Sequence, residues 1–72
     1  MPAEPVTVDR PEHPLPALAT FELSDYRRRL EHAIRLYETN HPAAPVPDDL
    51  RNGLAEVIAE QDDRARIAAR NA

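Results

Sequence analysis

The chain predicts an all-α fold: an antiparallel two-helix hairpin preceded by a Pro-rich extended N-terminal arm. Three observations carry this. Apolar residues recur at helical spacing over residues 24–39 and again over 47–70. A short stretch holding Pro42 and Pro45 separates the two runs, which suits a turn over residues 40–46 between antiparallel neighbours. Five of the eight prolines crowd into residues 1–19. The chain therefore divides into an arm, residues 1–19, and a helical hairpin, residues 20–72.

In the arm, each proline removes a backbone donor and disfavours helix at the residue before it. The arm is expected to be extended and too poor in apolar surface to fold by itself. Val6-Thr7-Val8 is a strand-like triplet of the kind that can add to a sheet edge. Val6, Val8, Leu15 and Leu18 are its apolar contacts, and a partner is expected to supply their surface.

The first helix, about 24–39, is expected to start at Ser24 as N-cap. Asp25 would complement the positive end of the dipole, and Leu23 would pack back on the first turn. Tyr26, Leu30, Ala33, Ile34 and Tyr37 fall on one face at 3.6 residues per turn, with Leu36 on its flank. Arg28, Glu31, His32, Arg35 and Glu38 fall opposite, and Glu31–Arg35 has the favourable i,i+4 order. Pro42 stops this helix near Asn40.

The second helix, about 47–70, opens on Pro47, Asp48 and Asp49, residue types suited to a helix N-terminus. Leu50, Leu54, Val57, Ile58, Ala65 and Ala68 form its stripe, interrupted by Gln61. Ile34 and Leu54 are expected at the centre of the seam. Glu60–Arg64 and Asp62–Arg66 are spaced for ion pairs. Gly53 costs a helix interior about 1 kcal/mol relative to alanine. Close approach by a neighbour and ordinary tolerance explain it equally well. Lengths of about fifteen and about twenty-three residues give roughly 22 and 34 Å, so the end of the second helix should overhang the first.

Composition narrows the function. Twelve of the thirty hydrophobic residues are alanine, so little of that fraction builds a core. At 72 residues with no cysteine, a chain of this size rarely gains more than about 3–5 kcal/mol from one core, and it commonly completes that core with a partner. Lack of cysteine excludes thiolate zinc sites and cysteine nucleophiles. His13, His32 and His41 share no metal-ligand spacing on one element. Asp48–Asp49 and Asp62–Asp63 diverge by about 100° per residue on a helix and lack the cleft that acid–base chemistry needs. One glycine cannot make a phosphate loop, and Ser24 is the only serine. No enzyme activity and no cofactor are expected.

All nine basic residues are arginine and the net charge is −4, so no segment is basic overall. Arg27, Arg28 and Arg29 form the one local basic cluster, a contact for phosphate or an acidic partner if it is functional; on a helix they fan over about 200°. No apolar run reaches the roughly 18 residues of a membrane span, and the first residues lack the pattern of a signal peptide; a cytoplasmic location is expected. The expected role is a small non-catalytic accessory or structural subunit that docks on a larger protein assembly or on copies of itself. Its expected interface is Val6, Val8, Leu15, Leu18, Phe21, Tyr26, Leu30, Ile34, Tyr37, Leu50, Leu54, Val57 and Ile58. The alternative is a small nucleic-acid-associated regulator, a transcription factor or antitoxin, using its arginines.

Overall fold

A computed structural model of the protein describes residues 8–71. Val6 lies outside them. The described chain is all-helical: a 3₁₀ turn at Leu15–Ala17, then α1 (Thr20–Asn40) and α2 (Asp48–Arg70), the two helices packing against each other.

α1 begins a full turn before Ser24. Its N-cap is Ala19, which has no side-chain acceptor for the free N–H groups. Half of a capping box substitutes: the Glu22 carboxylate accepts the Ala19 N–H at 2.9 Å. Ser24 and Asp25 therefore lie inside the helix, and Leu23 is a core residue instead of a brace at the cap. At the other end the His41 N–H bonds the Tyr37 carbonyl at 2.8 Å, and the two rings meet at 4.6 Å. Pro42 follows at once and cannot continue the helix.

α2 opens where its prolines and aspartates predict. The Pro47 carbonyl accepts the N–H groups of Leu50 and Arg51, and Asp48 and Asp49 occupy the first turn. The earlier start of α1 makes the helices nearly equal, 21 and 23 residues. The end of α2 still overhangs: Gly53 stands against Leu30, so the last turns of α2 run past the start of α1.

The core is a line of side chains between the helices. Leu23, Leu30 and Val57 are 1, 2 and 0 % exposed, and Leu18, Tyr26, Ala33 and Leu50 are buried with them. Ile34 and Leu54, expected at the centre, instead pack against this line from its side and stay partly exposed. The reason is angular. Leu30 and Ile34 sit about 40° apart on the helix, and the neighbour fills only the narrower arc. Tyr26, Leu30, Leu50 and Val57, expected to meet a partner, are satisfied within the chain.

Gly53 lies at the closest approach. A Cβ there would stand 3.2 Å from the Tyr26 hydroxyl and 3.3 Å from a Leu30 methyl. Close packing is therefore its physical reason. Beyond Ile58 the seam turns polar: Gln61 accepts a bond from Arg27 Nη1 at 2.8 Å, while Ala65 and Ala68 are exposed.

The arm is not wholly extended, and along its described length it packs on its own hairpin. Leu18 is buried, and Val8 and Leu15 pack against the core from partly buried positions. Arg64 ties this segment down. Its Nη2 donates to the carbonyls of Leu18, Leu15 and Pro16 at 2.6, 3.2 and 3.3 Å, and its Nε donates to Glu60 at 2.9 Å. Two expected ion pairs are replaced: Glu31 faces Arg27 at 3.7 Å, and Arg66 faces Asp63 at 3.9 Å.

Candidate functional site

The two flanks of the hairpin differ. On one, Arg64 holds carbonyls of the arm around the 3₁₀ turn, and Arg10, Pro11 and His13–Leu15 share a small cleft with Tyr26 and Glu56. The Arg27–Gln61 bond marks the other flank, while the contact of Gly53 with Leu30 and Tyr26 sets the register of the helices. Seven residues are two helical turns. Seven residues on from Arg27 along α1 comes Ile34, and seven back from Gln61 along α2 comes Leu54. Both lie on this flank, each two turns nearer the 40–46 turn along its own helix, with Ile58 one turn from Leu54. All three are partly exposed. Among the described residues, the arm's hydrogen bonds and its shared cleft lie on the opposite flank.

This second flank is the candidate site: a short aliphatic strip bounded at one end by Arg27, Glu31 and Gln61. It is built by the same periodicity that builds the core. The apolar arc of each helix is wider than one neighbour can cover, and the excess residues fall on this side. Tyr37 is partly buried beside His41 near the turn.

The remaining expected contacts scatter. Phe21 is 75 % exposed on the outer side of α1. It lines an open cleft with Asp9–Glu12 of the arm, Asp25, Arg28 and Arg29. That cleft mixes acidic and basic groups and has no dominant sign. Leu36 and Ile67 are also exposed, each apart from the Ile34–Leu54–Ile58 strip by its angle on the helix.

The arginine triplet does not act as a unit. Arg27 is drawn to Gln61 and Glu31, and Arg29 pairs with Asp25 at 2.7 Å. Arg28 points to solvent without an ion pair among the described residues. No group of three metal-ligating side chains comes together among those residues, and no helix there is long and apolar enough to cross a membrane.

Sequence reasoning missed Arg64. The signal available to it was the i,i+4 spacing from Glu60, which reads as a surface pair. Its reach to carbonyls 46 to 49 residues away leaves no local trace.

No family model, curated protein or solved structure matches this chain.

Proposed function

We propose that the protein is a small non-catalytic accessory or structural subunit, cytoplasmic, that docks through the flank carrying Ile34, Leu54 and Ile58 onto a larger protein assembly or a copy of itself. The observation that supports this reading is the asymmetry of the hairpin. The chain's own arm packs on one flank; the other keeps three aliphatic side chains partly exposed. Completing their burial is worth about 1 kcal/mol each, a sizeable sum for a fold whose core contributes only a few kcal/mol. The arm then acts first as part of the fold, with Phe21 beside it as an outlying aromatic anchor.

The test is site-specific photo-crosslinking in the host cell. A crosslinking side chain at Ile58 should trap a discrete protein partner, and one at His32, on the opposite side of α1, should not. Equal or absent protein crosslinks from the two positions would remove the docking reading.

A further inference from the structure

We infer that residues 8–18 form a strap that opens and closes as one piece while the two helices stay folded, with Arg64 as its catch and Leu18–Ala19 as its hinge. The strap lies on the flank opposite Ile34, Leu54 and Ile58, and its motion is independent of what docks on them.

The fastening is concentrated at one side chain. Among the described residues, the arm's backbone bonds are its own: the Ala17 N–H bonds the Pro14 carbonyl at 2.9 Å, and the Leu18 N–H bonds the Leu15 carbonyl at 3.0 Å. No backbone bond among those residues joins 8–18 to either helix. Every side-chain bond that reaches them there comes from Arg64 Nη2. The rest of the hold is apolar. Leu18 is 6 % exposed, and Val8 and Leu15 lie against the core.

The strap can leave without dismantling either body. Pro11, Pro14 and Pro16 fix φ in the arm, and its turn bonds are internal. The released arm therefore keeps its shape and closes again with little conformational entropy to lose. α1 is capped from within: Glu22 accepts the Ala19 N–H, and the Ala19 carbonyl accepts the Leu23 N–H at 3.1 Å. Among the described residues only Leu18 of the buried core precedes α1; Leu23, Tyr26, Leu30, Ala33, Leu50 and Val57 stand on the helices. Leu18 and Ala19 join strap to helix in plain extended backbone, φ −81° and ψ 145°, then φ −68° and ψ 158°. Rotation at such element-terminal residues swings the arm without strain.

The catch is suited to release and to re-engage. Three carbonyls share one nitrogen, and the Arg64 side chain is 28 % exposed. Water replaces each bond as it breaks, so no charged group is left stranded. Glu60 keeps its bond to Arg64 Nε at 2.9 Å, which holds the guanidinium in place for the arm's return. Opening bares the seat of Leu18 beside donors already aimed at backbone carbonyls.

Thiol labelling of the full chain tests the strap. The chain has no cysteine, so Leu18→Cys and Val57→Cys, made separately, each report one buried position. The thiol at position 18 should be modified at least about tenfold faster than that at position 57. Its rate should be nearly flat in low urea, because a local opening exposes little surface, while the rate at position 57 climbs with urea as global unfolding does. Arg64→Met should speed labelling at position 18 about tenfold, and Arg66→Met should leave it unchanged. Equal rates at the two positions with the same urea dependence overturn the strap, since the arm then leaves only when the helices do. A rate at position 18 indifferent to Arg64→Met overturns it too. If Leu18→Cys loses helix by circular dichroism, Leu15→Cys, on the same strap, replaces it, and its urea dependence and response to Arg64→Met decide in the same way.

Discussion

Arg64 is where a single substitution should cost most for a residue outside the apolar core. Its guanidinium spans two tasks: it pairs with Glu60, and it holds the carbonyls of Leu15, Pro16 and Leu18. The Leu18 carbonyl lies one residue ahead of Ala19, whose carbonyl accepts the Leu23 N–H. It therefore depends on Arg64. Hydrogen bonds to charged groups contribute about 1.5–3 kcal/mol each when buried. Here the Arg64 side chain is 28 % exposed and Glu60 16 %, and three acceptors share one nitrogen, so the set is worth about 1–3 kcal/mol. Arg64→Met keeps most of the packing volume but loses these bonds and leaves Glu60 half-buried without its partner, adding about 1 kcal/mol. The total, about 2–4 kcal/mol, approaches the whole stability of a chain this small. The control is Arg66→Met, whose pair with Asp63 is long and open, 77 and 58 % exposed, and which should cost under about 0.5 kcal/mol. Urea unfolding by circular dichroism measures the total. Hydrogen exchange at the Ala17 and Leu18 amides, both bonded within the 3₁₀ turn, reports whether the arm lifts first. Equal midpoints for the two variants, with unchanged protection at Leu18, would refute the reasoning.

Three further outcomes are expected. Leu30→Ala and Val57→Ala should each cost about 2–5 kcal/mol because both are fully buried, whereas Leu36→Ala should cost under about 0.5 kcal/mol; the reverse order in thermal melts would invert the assigned faces. Gly53→Ala gains about 1 kcal/mol of helix propensity but crowds Leu30 and Tyr26, for a net cost of about 0–2 kcal/mol. A clear rise in melting temperature would show that the helices have room to spare. Because Arg27 and Arg29 are occupied within the chain, binding to duplex DNA at physiological salt should be no tighter than about 10⁻⁴ M and indifferent to Arg28→Ala; micromolar binding by fluorescence anisotropy with a steep salt dependence would restore the nucleic-acid reading.

The two helices were legible because their evidence is local: stripes at helical spacing, prolines between them, aspartates at the second start. The first start was not. Ser24-Asp25 has the composition of a cap, while the true boundary uses Ala19, which signals nothing by itself, and is secured by Glu22 and by Arg64 from the far helix. The docking of the arm on its own hairpin was not legible for a similar reason. Its prolines do limit it to extended and 3₁₀ backbone, but composition cannot show that a distant arginine supplies the donors that hold it. The candidate site was half legible. Periodicity identified Ile34, Leu54 and Ile58 as apolar-face residues, yet a stripe gives the direction of a face and not the width a neighbour covers. Only the contact of Gly53 with Leu30 and Tyr26, with the Arg27–Gln61 bond to one side, separates the buried line from the open flank.

That separation follows from having two helices. Each helix presents an apolar arc wide enough for two neighbours, and the hairpin supplies one. The arm serves as a second neighbour on one flank, with the 3₁₀ turn and Leu18 filling the place of a helix at the cost of a dedicated arginine. Nothing equivalent remains for the other flank among the described residues. Three partly exposed aliphatic side chains, at up to about 1 kcal/mol each, would contribute about 3 kcal/mol if a partner buried them fully. Association costs at least about 4 kcal/mol in lost freedom, so the apolar strip alone makes a weak pair. A chain this close to the stability limit also gains from anything that binds only its folded form. For such a hairpin, a partner on the open flank, as proposed, would link assembly to folding.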